Sequence, residues 1–161
     1  MRPLLGETGW MRAVVQRVER AQVSSRPADD QPYETVGSIG RGLAVLVGVT
    51  HDDEPAAADK LANKLWGLRI FDDVDGVMNV AASDVSAEML VVSQFTIYGD
   101  TSRGRRPSWV AAARPGAAEP LVARVIERLE SLGATVATGR FQTDMQVELV
   151  NDGPVTLVIE T

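Results

Sequence analysis

The first candidate for a chemical site is the tetrapeptide Ser93-Gln94-Phe95-Thr96, whose side chains carry hydroxyl and amide groups. It directly follows the apolar run 89–92, so a strand that is predicted to be buried turns polar abruptly. Such a strand can deliver its hydroxyl and amide groups to the rim of a pocket. The same pattern also fits a strand that merely emerges into solvent. The hydroxyls are poorly suited to act as nucleophiles, because the only imidazole available to activate them is His51.

A second candidate is the basic cluster formed by Arg103, Arg105 and Arg106 in a loop that also contains glycine and proline. Guanidinium groups match the geometry of phosphate oxygens. The chain carries a net charge of −6, which argues against a broad electrostatic grip on nucleic acid. A nucleic-acid substrate therefore requires a local basic patch, and this cluster is the candidate. The alternative is an ordinary solvated loop.

The pair Gly153-Pro154 and the residue Arg17 allow two interpretations each. The Asp-Gly pair in Asn151-Asp-Gly153 lies between alternating segments and predicts a hairpin turn, with Pro154 at the start of the last strand. The functional alternative is a rigid element that presents backbone carbonyls in a fixed direction. Arg17 lies among valines on a predicted strand. An inward guanidinium must be paired or hydrogen-bonded, whereas an outward one is an ordinary surface group.

The residue types that the chain lacks exclude several classes of site. There is no cysteine and only one histidine, so disulfides, thiol chemistry and Cys-based zinc sites are excluded. We predict that His51, beside two aspartates, is a surface residue. The acidic segment Asp72–Asp75 lacks the ligand spacing of a calcium loop and is typical of a turn. We therefore expect neither a metal nor a cofactor.

The length and hydropathy of the chain indicate a single globular domain. With 161 residues, 45% of them hydrophobic, the chain is long enough for a substantial core. Residues 1–10 lack periodicity and are interpreted as an N-terminal extension of a domain that spans 11–161. No apolar run approaches the ~18 residues of a membrane-spanning helix, and there is no export signal. We therefore expect a cytoplasmic protein without membrane contact.

Hydrophobic periodicity predicts more strands than helices. Helix signals are an acidic, Pro-containing start at 52–55 with an apolar face through Leu68, and an apolar stripe over 117–132 that ends at Gly133. Because the strands do not alternate with the helices one for one, the pattern favours the α+β class with two principal helices and a mainly antiparallel or mixed, barrel-like sheet. The predicted strands are 11–18, 21–25, 34–39, 42–49, 88–97, 134–138, 145–150 and 155–160.

Several of these strings, taken in order, resemble one known family. They run from Met11 to the C-terminus without a break, and their combination is far more specific than any one of them. The sequence is similar to D-aminoacyl-tRNA deacylases in the segments Met11-Arg-Ala-Val-Val-Gln-Arg-Val18, Leu68-Arg-Ile-Phe-Asp72 with Met78-Asn79, Ser93-Gln-Phe-Thr96, Arg106-Pro-Ser108, Thr138-Gly-Arg-Phe141 with Asp144-Met-Gln-Val147, and Asn151-Asp-Gly-Pro-Val-Thr156.

The resemblance implies a homodimer that hydrolyses D-aminoacyl-tRNA, and glycyl-tRNA mischarged on tRNA-Ala. It implies that Gly153-Pro154 has a cis peptide bond, enters the partner's pocket and excludes L-amino acids there. It further implies that residues 93–96 form the catalytic pocket for the 3′ end of the tRNA, with Phe141 and Met145 against the substrate. By the same resemblance, Arg17 braces the Gly-Pro element. A metal, a cofactor and DNA are not expected.

Two other functions remain open at this stage. One is a nucleic-acid-binding module without catalysis that uses the Arg103–Arg106 loop and shows salt-dependent binding. The other is a hydrolase of small esters with Thr96 as the nucleophile, for which Thr96→Ala would abolish turnover. A mechanism based on backbone groups instead expects substantial residual activity in that variant.

Overall fold

The computed structural model of the protein describes residues 10–161. Residues 1–9 of the predicted N-terminal extension therefore lie outside the described part of the chain. Within residues 10–161, neither helix is long and apolar enough to cross a membrane.

The elements alternate less regularly than in a parallel α/β protein. Short 3₁₀ turns at Ala82–Val85 and Phe95–Tyr98 flank the strand that leads to the candidate site. The strands are β1 Arg12–Arg26, β2 Glu34–Ile39, β3 Gly42–Gly48, β4 Phe71–Asp72, β5 Met78–Val80, β6 Glu88–Ser93, β7 Val136–Thr138 and β8 Asp144–Glu160, and the helices are α1 Pro55–Gly67 and α2 Pro115–Ser131.

The main sheet is mixed and nearly closed on itself, which confirms the predicted α+β class. Its order is β2-β1-β3-β6-β7, and β8 pairs with β1. The β1 pairings are antiparallel, whereas β3–β6 and β6–β7 are parallel. The edge strands β2 and β7 approach closely at Gly37, where an added Cβ would lie 2.7 Å from the Thr138 carbonyl oxygen. The sheet therefore curves into a barrel-like shape.

The predicted hairpin at Asn151-Asp-Gly153 is wrong, because β8 is one long strand. It pairs with β1 from Arg12↔Glu160 to Arg26↔Asp144. The register shifts between Gln16↔Thr156 and Val18↔Asn151, so residues 152–155 lie opposite Arg17 alone. Long-range pairing with β1 thus overrides the local turn signal, and Gly153-Pro154 lies on a bulge.

The lengths of two other strands also differ from the prediction. The segments 11–18 and 21–25 form the single strand β1, since the register irregularities and the exposed Glu19 and Arg20 interrupt its alternation without ending the pairing. The strand predicted over 88–97 ends at Ser93. Gln94 leaves the extended conformation, and the backbone after it forms the hydrogen bonds of a 3₁₀ turn instead of strand pairing.

The two helices pack against each other and bury their apolar faces against the sheet. Arg124 of α2 pairs with Asp59 of α1 through contacts of 2.8 and 3.0 Å, and this pairing lowers the pKa of the Asp59 carboxyl. The helices begin at prolines and lie close to the predicted bounds. The largest fully buried side chains of the core include Phe71, Leu43, Leu61, Leu65, Met89 and Leu129.

Candidate active site

The end of β6 holds the central segment of the site. The N–H of Gln94 donates to the Val47 carbonyl at 2.8 Å and continues the parallel ladder by one residue. The backbone then turns, and the N–H of Ile97 donates to the Gln94 carbonyl at 3.3 Å. Residues 93–96 therefore lie at the rim of the sheet.

The turn is held from below by Tyr98. Its ring is buried, its hydroxyl donates to the Trp10 carbonyl, and the guanidinium carbon of Arg12 lies 4.8 Å from the ring centre. Burial is the main cause that raises the pKa of the Tyr98 phenol. A neutral phenol anchored in this way fixes the position of the turn.

A cavity of about 540 Å³ opens above this turn. Five of the predicted site residues line it: Ser93, Gln94, Phe95, Phe141 and Met145. Thr96 is exposed outside the lining, where its hydroxyl accepts a hydrogen bond from the Gln94 side-chain amide. Further lining residues that the sequence did not single out are Trp109, Ala112, Ala113, Pro115 and Ala118.

Phe141 reaches the cavity from the segment that joins β7 to β8, and Met145 reaches it from the start of β8. Gly139 lies at the start of this segment, and a Cβ added there would be 2.6 Å from Sδ of Met145. Glycine therefore leaves room for the thioether beside the backbone. A smaller cavity of about 210 Å³ on the α2 side shares Ser93, Phe141 and Met145 with the first. These three side chains form the wall between the two spaces.

Arg17 points inward and is only 6% exposed. Its Nη1 donates to the Ile70 carbonyl at 2.7 Å and to Oδ1 of Asp72 at 3.3 Å. Its Nε donates to the carbonyl of Asp152 at 3.2 Å and lies 3.2 Å from that residue's Oδ2. The guanidinium thus ties the β8 bulge to the segment before β4, as an inward arginine requires.

Gly153 and Pro154 project from the bulge that Arg17 supports. Both residues are exposed, and their peptide bond is cis. Gly153 has φ +132°, a region that side chains rarely adopt, and an added Cβ would lie 2.7 Å from the Val155 side chain. Neither residue lines this cavity. The described residues therefore present two separate features, a pocket and a projecting backbone element.

The basic cluster lies in an exposed loop next to the cavity. Asp100 and Ser108 close this loop through two backbone hydrogen bonds of 2.8 Å. Arg103, Arg105 and Arg106 are exposed between these ends. The loop leads directly into Trp109, which belongs to the lining of the cavity.

The half-buried carboxylate of Asp53 supports the segment 110–113, in which Ala112 and Ala113 line the cavity. Thr50 donates to the Ala111 carbonyl at 2.5 Å, and His51 Nε2 lies 2.7 Å from the Val110 carbonyl oxygen. Oδ2 of Asp53 accepts a 2.7 Å hydrogen bond from the N–H of Thr50, whereas its Oδ1 is buried without a partner. Burial raises the pKa of Asp53 to about 6. His51 itself is exposed, as predicted.

The acidic segment leads into a turn over residues 73–77, close to the prediction, although Asp72 itself ends β4. Oδ1 of Asp73 accepts hydrogen bonds from the N–H groups of Asp75 and Val77 at 2.9 and 3.0 Å. The bond from Val77 is the main cause that lowers the pKa of Asp73. Over residues 10–161 there is no group of three or more His, Cys, Asp or Glu side chains suited to hold a metal ion.

Comparisons with known proteins cover nearly the whole chain. The family model described as D-Tyr-tRNA(Tyr) deacylase matches residues 14–160. The chain is 55% identical to the D-aminoacyl-tRNA deacylase of Symbiobacterium thermophilum over 151 residues, which cover 94% of this chain and 96% of that protein. It is also 55% identical to the D-aminoacyl-tRNA deacylase of Mycolicibacterium smegmatis over 150 residues, 93% of this chain and 99% of that one.

Two solved structures share the fold. The c-Myc DNA unwinding element binding protein superposes with a TM-score of 0.84 at 33% identity, over 93% of this chain and 98% of that one. A probable eukaryotic D-amino acid tRNA deacylase superposes with a TM-score of 0.76 at 15% identity, over 94% and 100% of the two chains. The family match, the identity of the relatives and the pocket at the end of β6 lead to one assignment. The chain belongs to the D-aminoacyl-tRNA deacylase family, whose members hydrolyse the aminoacyl-tRNA ester bond.

Proposed function

We propose that this protein removes D-amino acids from tRNA by hydrolysing the ester at the tRNA 3′ end, with free D-amino acid and tRNA as products. The single observation that carries the proposal is the similarity to deacylases over nearly the whole chain: the family model matches residues 14–160, and two D-aminoacyl-tRNA deacylases are 55% identical over 150 and 151 residues. The cavity supports it, because three of the segments that resemble the family, 93–96, 138–141 and 144–147, contribute residues to its lining. Its volume of about 540 Å³ falls within the usual range of small-ligand sites. In this proposal, residues 11–161 form the deacylase domain and residues 1–10 are an N-terminal extension of it. The proposed place of action is the cytoplasm.

We propose that the protein acts as a homodimer in which Gly153-Pro154 of one protomer enters the pocket of the other. The element is exposed and does not line its own cavity, so it is available to a partner. Backbone carbonyls held against the α-carbon would crowd the substituent of an L-amino acid and leave room for a D-residue or glycine. Reading handedness with backbone atoms avoids a preference for one side chain. Glycyl-tRNA formed on tRNA-Ala is therefore an additional substrate of the proposal.

The proposed chemistry relies on backbone donors. The N–H groups of Phe95 and Thr96 begin a 3₁₀ turn and donate to no acceptor among residues 10–161. First-turn N–H groups have no acceptor within their own helix and suit a developing oxyanion. A water molecule adds to the ester carbonyl carbon, the C–O bond to the ribose breaks, and the ribose oxygen takes up a proton. The neighbouring ribose hydroxyl of the substrate assists this proton transfer.

The exposed arginines give the acidic chain a local site for phosphate. We propose that Arg103, Arg105 and Arg106 contact the acceptor end of the tRNA, since their loop adjoins the cavity through Trp109.

The direct test offers purified protein D-tyrosyl-tRNA and L-tyrosyl-tRNA in parallel, with and without a chelator. The proposal expects D-tyrosine to be released in both conditions and L-tyrosyl-tRNA to be spared. Equal release of both stereoisomers would contradict the chiral mechanism, and salt-dependent tRNA binding without any product would favour a non-catalytic module. Loss of activity with the chelator would contradict the metal-free chemistry.

A further inference from the structure

Two exposed aromatic rings stand side by side at the mouth of the cavity. Phe95 is 55% exposed and Trp109 is 42% exposed. Their ring centres lie 5.5 Å apart at an interplanar angle of 75°, an edge-to-face arrangement. Both line the cavity, whereas Ser93, Phe141 and Met145 form its half-buried wall. The pair therefore belongs to the outer rim of the site, and both rings keep exposed surface for a ligand.

The position of Trp109 is fixed before any ligand binds. A Cβ added at Gly99 would lie 2.5 Å from Cζ3 of the indole, so the ring rests directly on the glycine backbone. The paired backbones of Asp100 and Ser108 hold this contact together, and the N–H of Ala112 donates to the Trp109 carbonyl at 3.0 Å. Phe95 is held by the 3₁₀ turn above the buried Tyr98. A platform fixed in this way loses little conformational entropy on binding.

The same loop supplies positive charge next to the rings. Arg105 and Arg106 make no hydrogen bond and no ion pair with any residue of the described range 10–161. Arg103 lies near Asp100 and contributes to the lowered pKa of that carboxyl, for which the hydrogen bonds from Ser102 are the main cause. An aromatic platform beside unpaired cations, in a chain of net charge −6, matches the chemistry of single-stranded nucleic acid.

We propose that Trp109 stacks the nucleobase that precedes the terminal adenosine of the tRNA, with Phe95 in edge-to-face contact beside it, while the arginine loop holds the adjoining phosphates. This inference rests on the proposed function, which places the aminoacylated adenosine in the cavity. The rim leads from that cavity to the loop, so the next nucleotide of the single strand passes over the two rings. Stacking tolerates any base, and sequence readout is not required.

The test measures binding and hydrolysis separately with Trp109→Ala, the conservative Trp109→Phe and the control Val110→Ala. Val110 is 82% exposed and lies outside the lining. Binding uses a fluorescent single-stranded RNA that ends in CCA. The inference expects Trp109→Ala to weaken this binding about tenfold, Trp109→Phe to retain most of it, and Val110→Ala to leave it unchanged. Thermal unfolding confirms that each variant is folded.

Hydrolysis then locates the effect along the substrate. Trp109→Ala is expected to raise KM for D-tyrosyl-tRNA by a similar factor and to raise KM for the D-tyrosyl ester of adenosine much less, because that ester lacks the preceding nucleotide. Val110→Ala is expected to leave hydrolysis of both substrates unchanged. An equal loss on both substrates would place Trp109 in the adenosine pocket and overturn the inference. Wild-type affinity of Trp109→Ala for the RNA would overturn it as well. Absence of hydrolysis by the wild-type protein would instead contradict the proposed function. The RNA-binding assay does not require hydrolysis, so the two failures can be told apart.

Discussion

Arg17→Ala is the substitution that most directly probes how the β8 bulge is held. It removes the donor to the buried Ile70 carbonyl at 2.7 Å and the donor to the Asp152 carbonyl at 3.2 Å. Each hydrogen bond from a charged donor contributes about 1.5–3 kcal/mol. The carboxylates of Asp72 and Asp152 are both more than a third exposed, so water replaces the lost arginine. Their ion pairs therefore add little to the loss of stability. Taken at the lower value, these two bonds predict a fall of about 3 kcal/mol in the free energy of unfolding.

The assay is urea denaturation at fixed protein concentration, combined with the ratio of L- to D-tyrosyl-tRNA hydrolysis. A protein of ordinary stability tolerates this loss and stays folded. Because Arg17 supports the bulge that carries Gly153-Pro154, we expect the L-to-D ratio to rise. Arg20→Ala is the matched control, since Arg20 lies on the same strand in an exposed 3.9 Å pair with Glu148. If Arg17→Ala and Arg20→Ala had the same stability and the same L-to-D ratio, the assigned role of Arg17 would be refuted.

Three further predictions concern other parts of the site. Burial raises the pKa of Asp53 to about 6, so the folded state binds the proton more tightly than the unfolded state and the ionised carboxylate destabilises the fold. At pH 8, Asp53→Asn should therefore be more stable to urea than the wild type, with a free energy of unfolding higher by about 1 kcal/mol after solvent screening. Urea titrations at lower pH should show this difference in stability disappearing towards pH 4. Thr96→Ala should retain substantial deacylation in a single-turnover assay, because Thr96 lies outside the cavity lining, whereas complete loss would favour a threonine nucleophile. Replacing Arg105 and Arg106 by alanine should make the plot of log binding constant against log salt concentration less steep, by the equivalent of about two phosphate contacts. An unchanged slope would show that the loop does not contact the tRNA.

The sequence was sufficient to predict elements that depend on local periodicity. The apolar run of β3 and the apolar faces of α1 and α2 are unambiguous over several turns or residues, and the structure has them at nearly the predicted bounds. The mixed sheet followed from the excess of strands over helices. The pocket residues Ser93, Phe141 and Met145 were identified through motifs and not through periodicity, since a polar residue after a strand has several possible roles.

The failures of prediction arose where distant pairing decides the local structure. An Asp-Gly pair favours a hairpin only when the two flanking strands pair with each other, and here both flanks pair with β1. The end of β6 depends on a hydrogen bond from Gln94 to Val47, a partner 47 positions away in the chain, which no local pattern encodes. Trp109 was missed for a similar reason. A tryptophan in a loop is commonly a core-packing residue. Its role at the cavity depends on contacts with Gly99 and with the lining, which the local sequence does not show.

The most direct test of the account mixes two variants of the protein. Pro154→Ala has an altered Gly-Pro element and an open pocket, whereas Ser93→Trp has a filled pocket and the native Gly-Pro element. Pro154→Ala alone is expected to hydrolyse L-tyrosyl-tRNA. Adding Ser93→Trp chains in increasing excess to a fixed amount of Pro154→Ala should progressively suppress that L-specific hydrolysis. At equal amounts it should fall to about half, since half of the open pockets then receive a native element from a partner. Hydrolysis of D-tyrosyl-tRNA by the open pockets should persist. L-specific hydrolysis that stays constant throughout the titration would show that the Gly-Pro element does not act across protomers.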